Sequence, residues 1–234
     1  RMFRPKYMEH LRELTLPDYH LGVTYEGQLD LRFVGSWASA MHWEVPALSA
    51  INGLRTRKAL RAMSAFERDD VMATGVARLG EKIRIIRQYP GLTFCDFGTR
   101  RRFHRAWQRY VDQTLALELP GQFLGTSNVE SAMDFGLLPM GTNAHQMFMV
   151  IAAILGVTDE SLRASHNQAL REWWSLYGHG LSIALTDTFG SDFFFRDFTA
   201  EQAREWKGLR QDSGDPLVFG HKALAFYRKH GVNP

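Results

Sequence analysis

The 234-residue chain is 45% hydrophobic and carries 28 basic against 25 acidic side chains, a formal charge of +3, so it can bury a sizeable core and is no disordered tail. Its pI of about 9.1 marks a mild excess of cations, well short of a nucleic-acid-binding composition, so small anions are the expected partners and nucleic acid is not. Cys95 is the single cysteine, which excludes an intrachain disulfide, and the longest apolar run, Met147 to Leu155, is about half of the roughly 20 residues that span a bilayer; the cytoplasm is the expected compartment and no membrane is expected.

In chain order, Tyr7, Leu11 and Leu14 recur at helical spacing, and Gln28 to Val34 alternates polar with apolar as a half-buried strand does. Trp37 and Trp43 flank a short segment, and Pro46 suits the first turn of a helix through Ala59. A boundary is expected near residue 62, dividing residues 1–62 from 63–234. Phe66, Val71, Val76, Leu79, Ile83 and Ile86 predict a long amphipathic helix that stops at Pro90-Gly91.

Short strands and helices then alternate. Strands are predicted at Leu92–Phe97, Phe123–Leu124, Leu138–Met140 and Leu181–Leu185, and one must end at the turn around Asp212. Helices are predicted at Arg100–Leu119, Asn128–Phe135, Asn143–Leu155, Asp159–Tyr177, Ala200–Lys207 and Pro216–His230. Such alternation means an α/β class with parallel strands and crossover helices, open sheet and closed barrel being equally compatible with it. Arg1 stands before Met2, and the sequence breaks off at Pro234 just after a helical pattern, so both ends are expected to be cuts.

Ligand-binding loops follow the carboxyl ends of parallel strands. Two Gly-Thr pairs stand there, Gly125-Thr126 and Gly141-Thr142, each entering a helix. Unpaired N–H groups and the positive pole of a helix start hold phosphate or carboxylate readily, which marks Thr126, Ser127, Asn128 and Thr142 as candidates. Thr142 also suits a helix cap. His145 falls in the first turn of the second helix, where imidazolium is disfavoured and a phosphorylated imidazole is welcome. Arg100, Arg101, Arg102 and Arg105 crowd another strand end, with Phe103, Trp107 and Tyr110 on a separate face. Guanidinium forks match carboxylate and phosphate, so Arg100 and Arg102 are the candidates there; the plain alternative is a solvated helix with its aromatics inward. Asp187, Asp212 and Asp215 end further strands and suit ribose hydroxyls or a Mg²⁺ on diphosphate oxygens. Asp215 before Pro216 equally suits a helix cap, and Arg210 equally suits a structural ion pair. The other histidines lack metal-ligand spacing.

Asp96-Phe-Gly-Thr-Arg-Arg-Arg-Phe103, Gly125-Thr-Ser-Asn128, Gly141-Thr-Asn-Ala-His145, Ala184-Leu-Thr-Asp187 and Gly208-Leu-Arg-Gln-Asp-Ser-Gly-Asp215 resemble, in order and spacing, the motifs of nicotinate phosphoribosyltransferase. The likeness covers nearly the whole chain, as a central fragment of the family's length; an early Thr-Asp-x-Tyr-Lys segment and a late glycine-rich phosphate loop have no counterpart. The resemblance implies an incomplete phosphoribosyltransferase-type (β/α) barrel at 63–234 beside part of an N-terminal α/β domain. It implies transfer of phosphoribosyl from phosphoribosyl diphosphate to nicotinate, coupled to ATP hydrolysis through a phosphohistidine at His145, with Mg²⁺, in a homodimer that builds its site between protomers. Thr142 and Arg210 match nicotinate-contacting positions, and Asp212 is the catalytic candidate beside His145. Gln146 departs from the family's Ala-His-Glu, which puts any carboxylate role there in doubt. The rival readings are a nicotinamide-using relative, disfavoured by so many arginines, and an inactive binding or assembly fragment of the same fold.

Overall fold

The computed structural model describes residues 3–233; the expected cuts at Arg1–Met2 and Pro234 lie outside the described residues. The chain divides into two compact units, Arg1–Met140 and Gly141–Pro234. The boundary expected near residue 62 falls between two helices inside the first unit.

The first unit opens with helix α1 (Pro5–Glu13), then strands β1 (Tyr19–Val23) and β2 (Leu29–Phe33), paired antiparallel from Tyr19↔Phe33 to Val23↔Leu29. β2 lies where the alternation predicts it. β1 is unforeseen because four of its five residues are exposed, so it has no inward face to leave a period-two pattern. A short helix α2 (Trp37–Ala40) leads to α3 (Glu44–Arg61) and α4 (Ala65–Arg87). Ser64 and Glu67 start α4 with a reciprocal capping box, which ties two otherwise orphaned N–H groups. Leu79 and Ile83 on α4 then bury against Leu115, Leu119 and Phe123.

Strand β3 (Phe94–Asp96), helix α5 (Arg105–Glu118), strand β4 (Phe123–Thr126), helix α6 (Val129–Phe135) and strand β5 (Leu138–Pro139) complete this unit. The strands form one small parallel sheet in the order β3-β4-β5. The helix predicted from Arg100 to Leu119 is corrected. Thr99–Arg101 make a separate 3-10 turn, and His104 leaves the helix to accept the Trp107 N–H at Nδ1, 3.0 Å away. α5 also turns a different face inward from the one its aromatics suggest: Gln108, Asp112 and Leu115 are buried, whereas Tyr110 is exposed.

The second unit contains α7 (His145–Leu155), α8 (Asp159–Tyr177), β6 (Ile183–Leu185), α9 (Ser191–Asp197), α10 (Ala200–Glu205), β7 (Gly208–Arg210) and α11 (Pro216–Lys229). β6 and β7 are parallel, with Leu185 opposite Arg210. α9, which the sequence reading leaves as a loop, buries Phe194 in a core with Phe148, Leu170, Leu185, Phe198 and Phe226. His166 is 1% exposed within that core and stacks on Phe148 with ring centroids 5.0 Å apart. Burial pushes its pKa down to about 4, so it stays neutral at pH 7 and serves as packing. Mixed α/β class and parallel short strands are therefore as expected; the sheets are small and open.

Candidate active site

Because β6 and β7 run side by side in parallel, their carboxyl ends deliver Asp187 and Asp212 to neighbouring positions. The third contributor is the 141–144 loop. Thr142 Oγ1 and Asn143 Nδ2 both donate to the Ile183 carbonyl at 3.0 Å, and Asn143 Oδ1 accepts the Leu185 N–H at 3.1 Å. Asn143, 1% exposed, thus stitches the loop to β6, a role that sequence reasoning did not assign and that only the strand across from it reveals. α7 begins at His145, two residues later than predicted, with Ala144 in the cap position; Thr142 does not cap it.

His145 is the meeting point. Its Nδ1 lies 3.1 Å from Thr188 Oγ1, and its Nε2 lies 3.3 Å from Asp212 Oδ2 and 3.8 Å from Asp187 Oδ1. Arg210 donates to Asp212 Oδ1 at 2.6 Å and to the Asn143 carbonyl at 3.2 Å. The Arg210 hydrogen bond is the main reason that the Asp212 carboxyl titrates below its usual range, with His145 adding to it. Asp187 accepts the Ser213 hydroxyl at Oδ2, while its Oδ1 is closed to solvent and has no hydrogen-bond partner. An acceptor left this way is costly unless something else completes it. The His145 side chain keeps 36% of its exposure, so the group is reachable as well as fixed.

Asp215 takes the capping position that its place before Pro216 also suits. It stands exposed at the cap of α11, its Oδ1 accepting the N–H groups of Leu217 at 2.8 Å and Val218 at 3.1 Å, with Pro216 at the first helical position. Replacing it with Ala is expected to cost about 1 kcal/mol of stability, and Asp215→Ser to restore most of it. Chemical denaturation of the two variants checks this; equal losses in both would mean that capping is not what Asp215 contributes.

The first unit has its own polar knot at the ends of β3 and β4. Asp96 Oδ2 accepts from Gln108 Nε2 at 2.8 Å and Thr126 Oγ1 at 3.1 Å, and its Oδ1 accepts the Gly98 N–H at 3.0 Å. Ser127 donates its N–H to the Asp96 carbonyl at 2.8 Å. Asn128 caps α6 at Ser131 N, 3.1 Å, and donates to Gln108 Oε1 at 3.2 Å, which also receives Arg102 Nη1 at 3.3 Å. Thr126 is fully buried and Asn128 half-buried. Arg100 pairs with Glu44 on α3, and its carbonyl accepts from Asn52 at 2.8 Å. The structure therefore gathers Thr142, His145, Asp187, Arg210 and Asp212 in one unit and Arg100, Arg102, Thr126, Ser127 and Asn128 in the other. Among the described residues, no three His, Cys, Asp or Glu side chains are grouped to hold a metal ion by themselves, and no helix is long and apolar enough to cross a membrane.

A histidine flanked by two carboxylates, one of them paired with an arginine, stands at the ends of parallel strands in an α/β protein. The particular family follows from comparison: residues 92–234 match the nicotinate phosphoribosyltransferase (NAPRTase) family model, and the chain belongs to that family. It is similar to the crystal structure of nicotinate phosphoribosyltransferase from Vibrio cholerae, at 32% identity and a TM-score of 0.83, over 99% of this chain and 54% of that one. The enzyme from Porphyromonas gingivalis is 29% identical with a TM-score of 0.82, over 99% of this chain and 57% of that one. A putative nicotinate phosphoribosyltransferase from Saccharomyces cerevisiae is 26% identical with a TM-score of 0.79, over 97% of this chain and 56% of that one. The chain thus spans a little over half the length of these relatives.

Proposed function

We propose that the protein to which this chain belongs transfers phosphoribosyl from phosphoribosyl diphosphate to nicotinate, giving nicotinate mononucleotide and diphosphate in NAD biosynthesis, and couples this to ATP hydrolysis through a phosphohistidine. The observation that carries the reading is His145, the first residue of α7, held between Thr188 and the Asp187–Asp212 carboxylates. Carboxylates facing Nε2 favour the tautomer with its proton there, which leaves the lone pair on Nδ1. Attack of that lone pair on the γ-phosphorus forms the N–P bond, breaks the bond to the bridging oxygen and releases ADP; later hydrolysis returns free imidazole and phosphate. The helix start and the Thr188 hydroxyl would favour the added negative charge.

Arg210 would pair with the nicotinate carboxylate, the reason for preferring nicotinate to nicotinamide, and Thr142 would contact the same base. Arg100, Arg102 and Ser127 are proposed phosphate or carboxylate contacts, and Thr126 and Asn128 shape the loop that carries Ser127. Asp187 and Asp212 suit a Mg²⁺ that takes its remaining ligands from diphosphate oxygens and water, and the unsatisfied Asp187 Oδ1 supports that fit. Bound there, the ion would neutralise charge on the departing diphosphate. The parallel order of β3-β4-β5 and of β6-β7 supports the finer reading of an incomplete phosphoribosyltransferase barrel over residues 63–234 with an α/β remnant before it; homodimeric assembly and a cytoplasmic location belong to the same proposal.

Incubating the full-length protein with γ-labelled ATP is expected to give acid-labile, base-stable label on wild type and none on His145→Ala. The same preparation should turn over nicotinate in preference to nicotinamide. Equal labelling of wild type and variant would remove His145 as the acceptor.

A further inference from the structure

The buried Asn143 uses its side-chain amide at both ends, Nδ2 donating to the Ile183 carbonyl and Oδ1 accepting the Leu185 N–H. Along a strand, successive residues turn their backbone groups to opposite edges. The Thr186 N–H bonds to the Arg210 carbonyl beside β7 at 3.2 Å, so Ile183 and Leu185 face the other edge of β6. One side chain there does what a further strand would do, meeting an acceptor and a donor two residues apart. The backbone of the same residue has a second task. Its carbonyl accepts Arg210 Nη1 at 3.2 Å, Arg210 Nη2 donates to Asp212 Oδ1 at 2.6 Å, and Asp212 Oδ2 stands 3.3 Å from His145 Nε2. Only Ala144 separates His145 from Asn143 in the chain, so these contacts and a short piece of backbone close a ring. Asn143 is the member that ties the ring to β6.

We propose that Asn143 is a positioning residue that holds Arg210 and His145 at a fixed separation, so that base recognition and phosphoryl acceptance both depend on one buried amide. The inference rests on the roles proposed above for those two residues. Arg210 is aimed by its acceptors. One of them, Asp212, is a side chain, whereas the other is a backbone carbonyl that stays in place because the Asn143 amide clamps its loop to β6. A guanidinium fork that reads a planar carboxylate tolerates little misalignment. His145 depends on the same clamp from the other side. The cap position of α7 is Ala144, which offers no capping side chain, so the helix that begins with His145 takes its starting point from the anchor two residues earlier.

The test follows two quantities in the full-length protein, each per folded molecule: KM for nicotinate, and the rate at which γ-labelled ATP labels His145 with no nicotinate present. Asn143→Ala is expected to raise the first and lower the second, each by about tenfold or more. Asn143→Asp keeps the shape and the acceptor for Leu185 but sets a carboxylate oxygen against the Ile183 carbonyl, so it should lose both as alanine does. Arg210→Gln, alone and combined with Asn143→Ala, separates positioning from general loosening. If Asn143 acts on the base through Arg210, the double variant has the nicotinate KM of Arg210→Gln alone; loosening would multiply the two losses. Asn143→Asp carries the same cycle if alanine unfolds the unit. A wild type that neither takes label nor uses nicotinate removes the reading of the site and this proposal with it. With an active wild type, the proposal alone is overturned by an unchanged KM or labelling rate in Asn143→Ala, by wild-type behaviour of Asn143→Asp, or by losses that multiply in the double variant.

Discussion

Gly125→Ala is expected to cost about 3–5 kcal/mol and leave the first unit largely unfolded. Gly125 sits in β4, the middle strand of β3-β4-β5, opposite Cys95 on one side and Leu138 on the other. A Cβ there would lie 2.1 Å from the Leu138 carbonyl oxygen and 2.9 Å from its carbon. Backbone cannot swing aside as a side chain does, so β5 must leave its register, and the Met140 N–H bond to the Thr126 carbonyl, 2.9 Å, goes with it. Gly136 supplies the control. Its φ of 65° closes α6 in the left-handed region, but nothing stands within 4 Å of an added Cβ; Gly136→Ala should therefore cost only the conformational penalty, about 1–2 kcal/mol. Urea unfolding of both variants separates crowding from backbone preference. Similar midpoints for the two would show that the strand contact is not what excludes a side chain at Gly125.

The contrast between these glycines shows what a sequence makes legible. Gly125-Thr126 and Gly141-Thr142 announce strand ends because glycine punctuation follows a short apolar run; the structure sets Gly141-Thr142 just after β5, whereas Gly125-Thr126 are the last two residues of β4 itself, which runs two residues further than predicted. α4 is equally legible, its apolar spacing opened by Ser64 and Glu67. α5 is misread because its cap is His104, a residue type that rarely signals a helix start, and because its buried face carries Gln108 and Asp112, which look like solvent positions. Tertiary partners are the second obstacle. Asp212 meets His145 across 67 residues and Asn143 meets Leu185 across 42, distances over which no periodicity carries information. Motif order puts His145, Arg210 and Asp212 in one site by resemblance; the hydrogen bonds that join them are visible only with β6 and β7 side by side.

Asp112→Asn is expected to gain stability relative to the wild type by about 2.5 kcal/mol between pH 4 and 7.5. Asp112 is fully buried on α5, and neither of its oxygens has a hydrogen-bond partner. Burial first, and then the Asp96 carboxylate, push its pKa from 3.8 up to about 6, against weaker pulls from the nearby Ser131 hydroxyl and then from Arg109. The sign follows from which state releases the proton sooner. Between 3.8 and 6 the unfolded chain is already ionised while the folded one still holds the proton, so stability falls as pH rises through that window and is level above it. Asparagine cannot ionise and removes the slope, whatever constant offset its amide brings by lacking an acceptor. Urea unfolding of both proteins at the two pH values reads the difference directly, and a gap that does not change with pH would mean that Asp112 titrates alike in folded and unfolded chains. Gln108, one turn before Asp112, holds Asp96 and Arg102 together, so the variant also tests what the buried carboxyl is for. Greater stability with weaker binding by the 97–104 loop would mean that repulsion between Asp112 and Asp96 keeps that loop adjustable, at the expense of the unit that carries it.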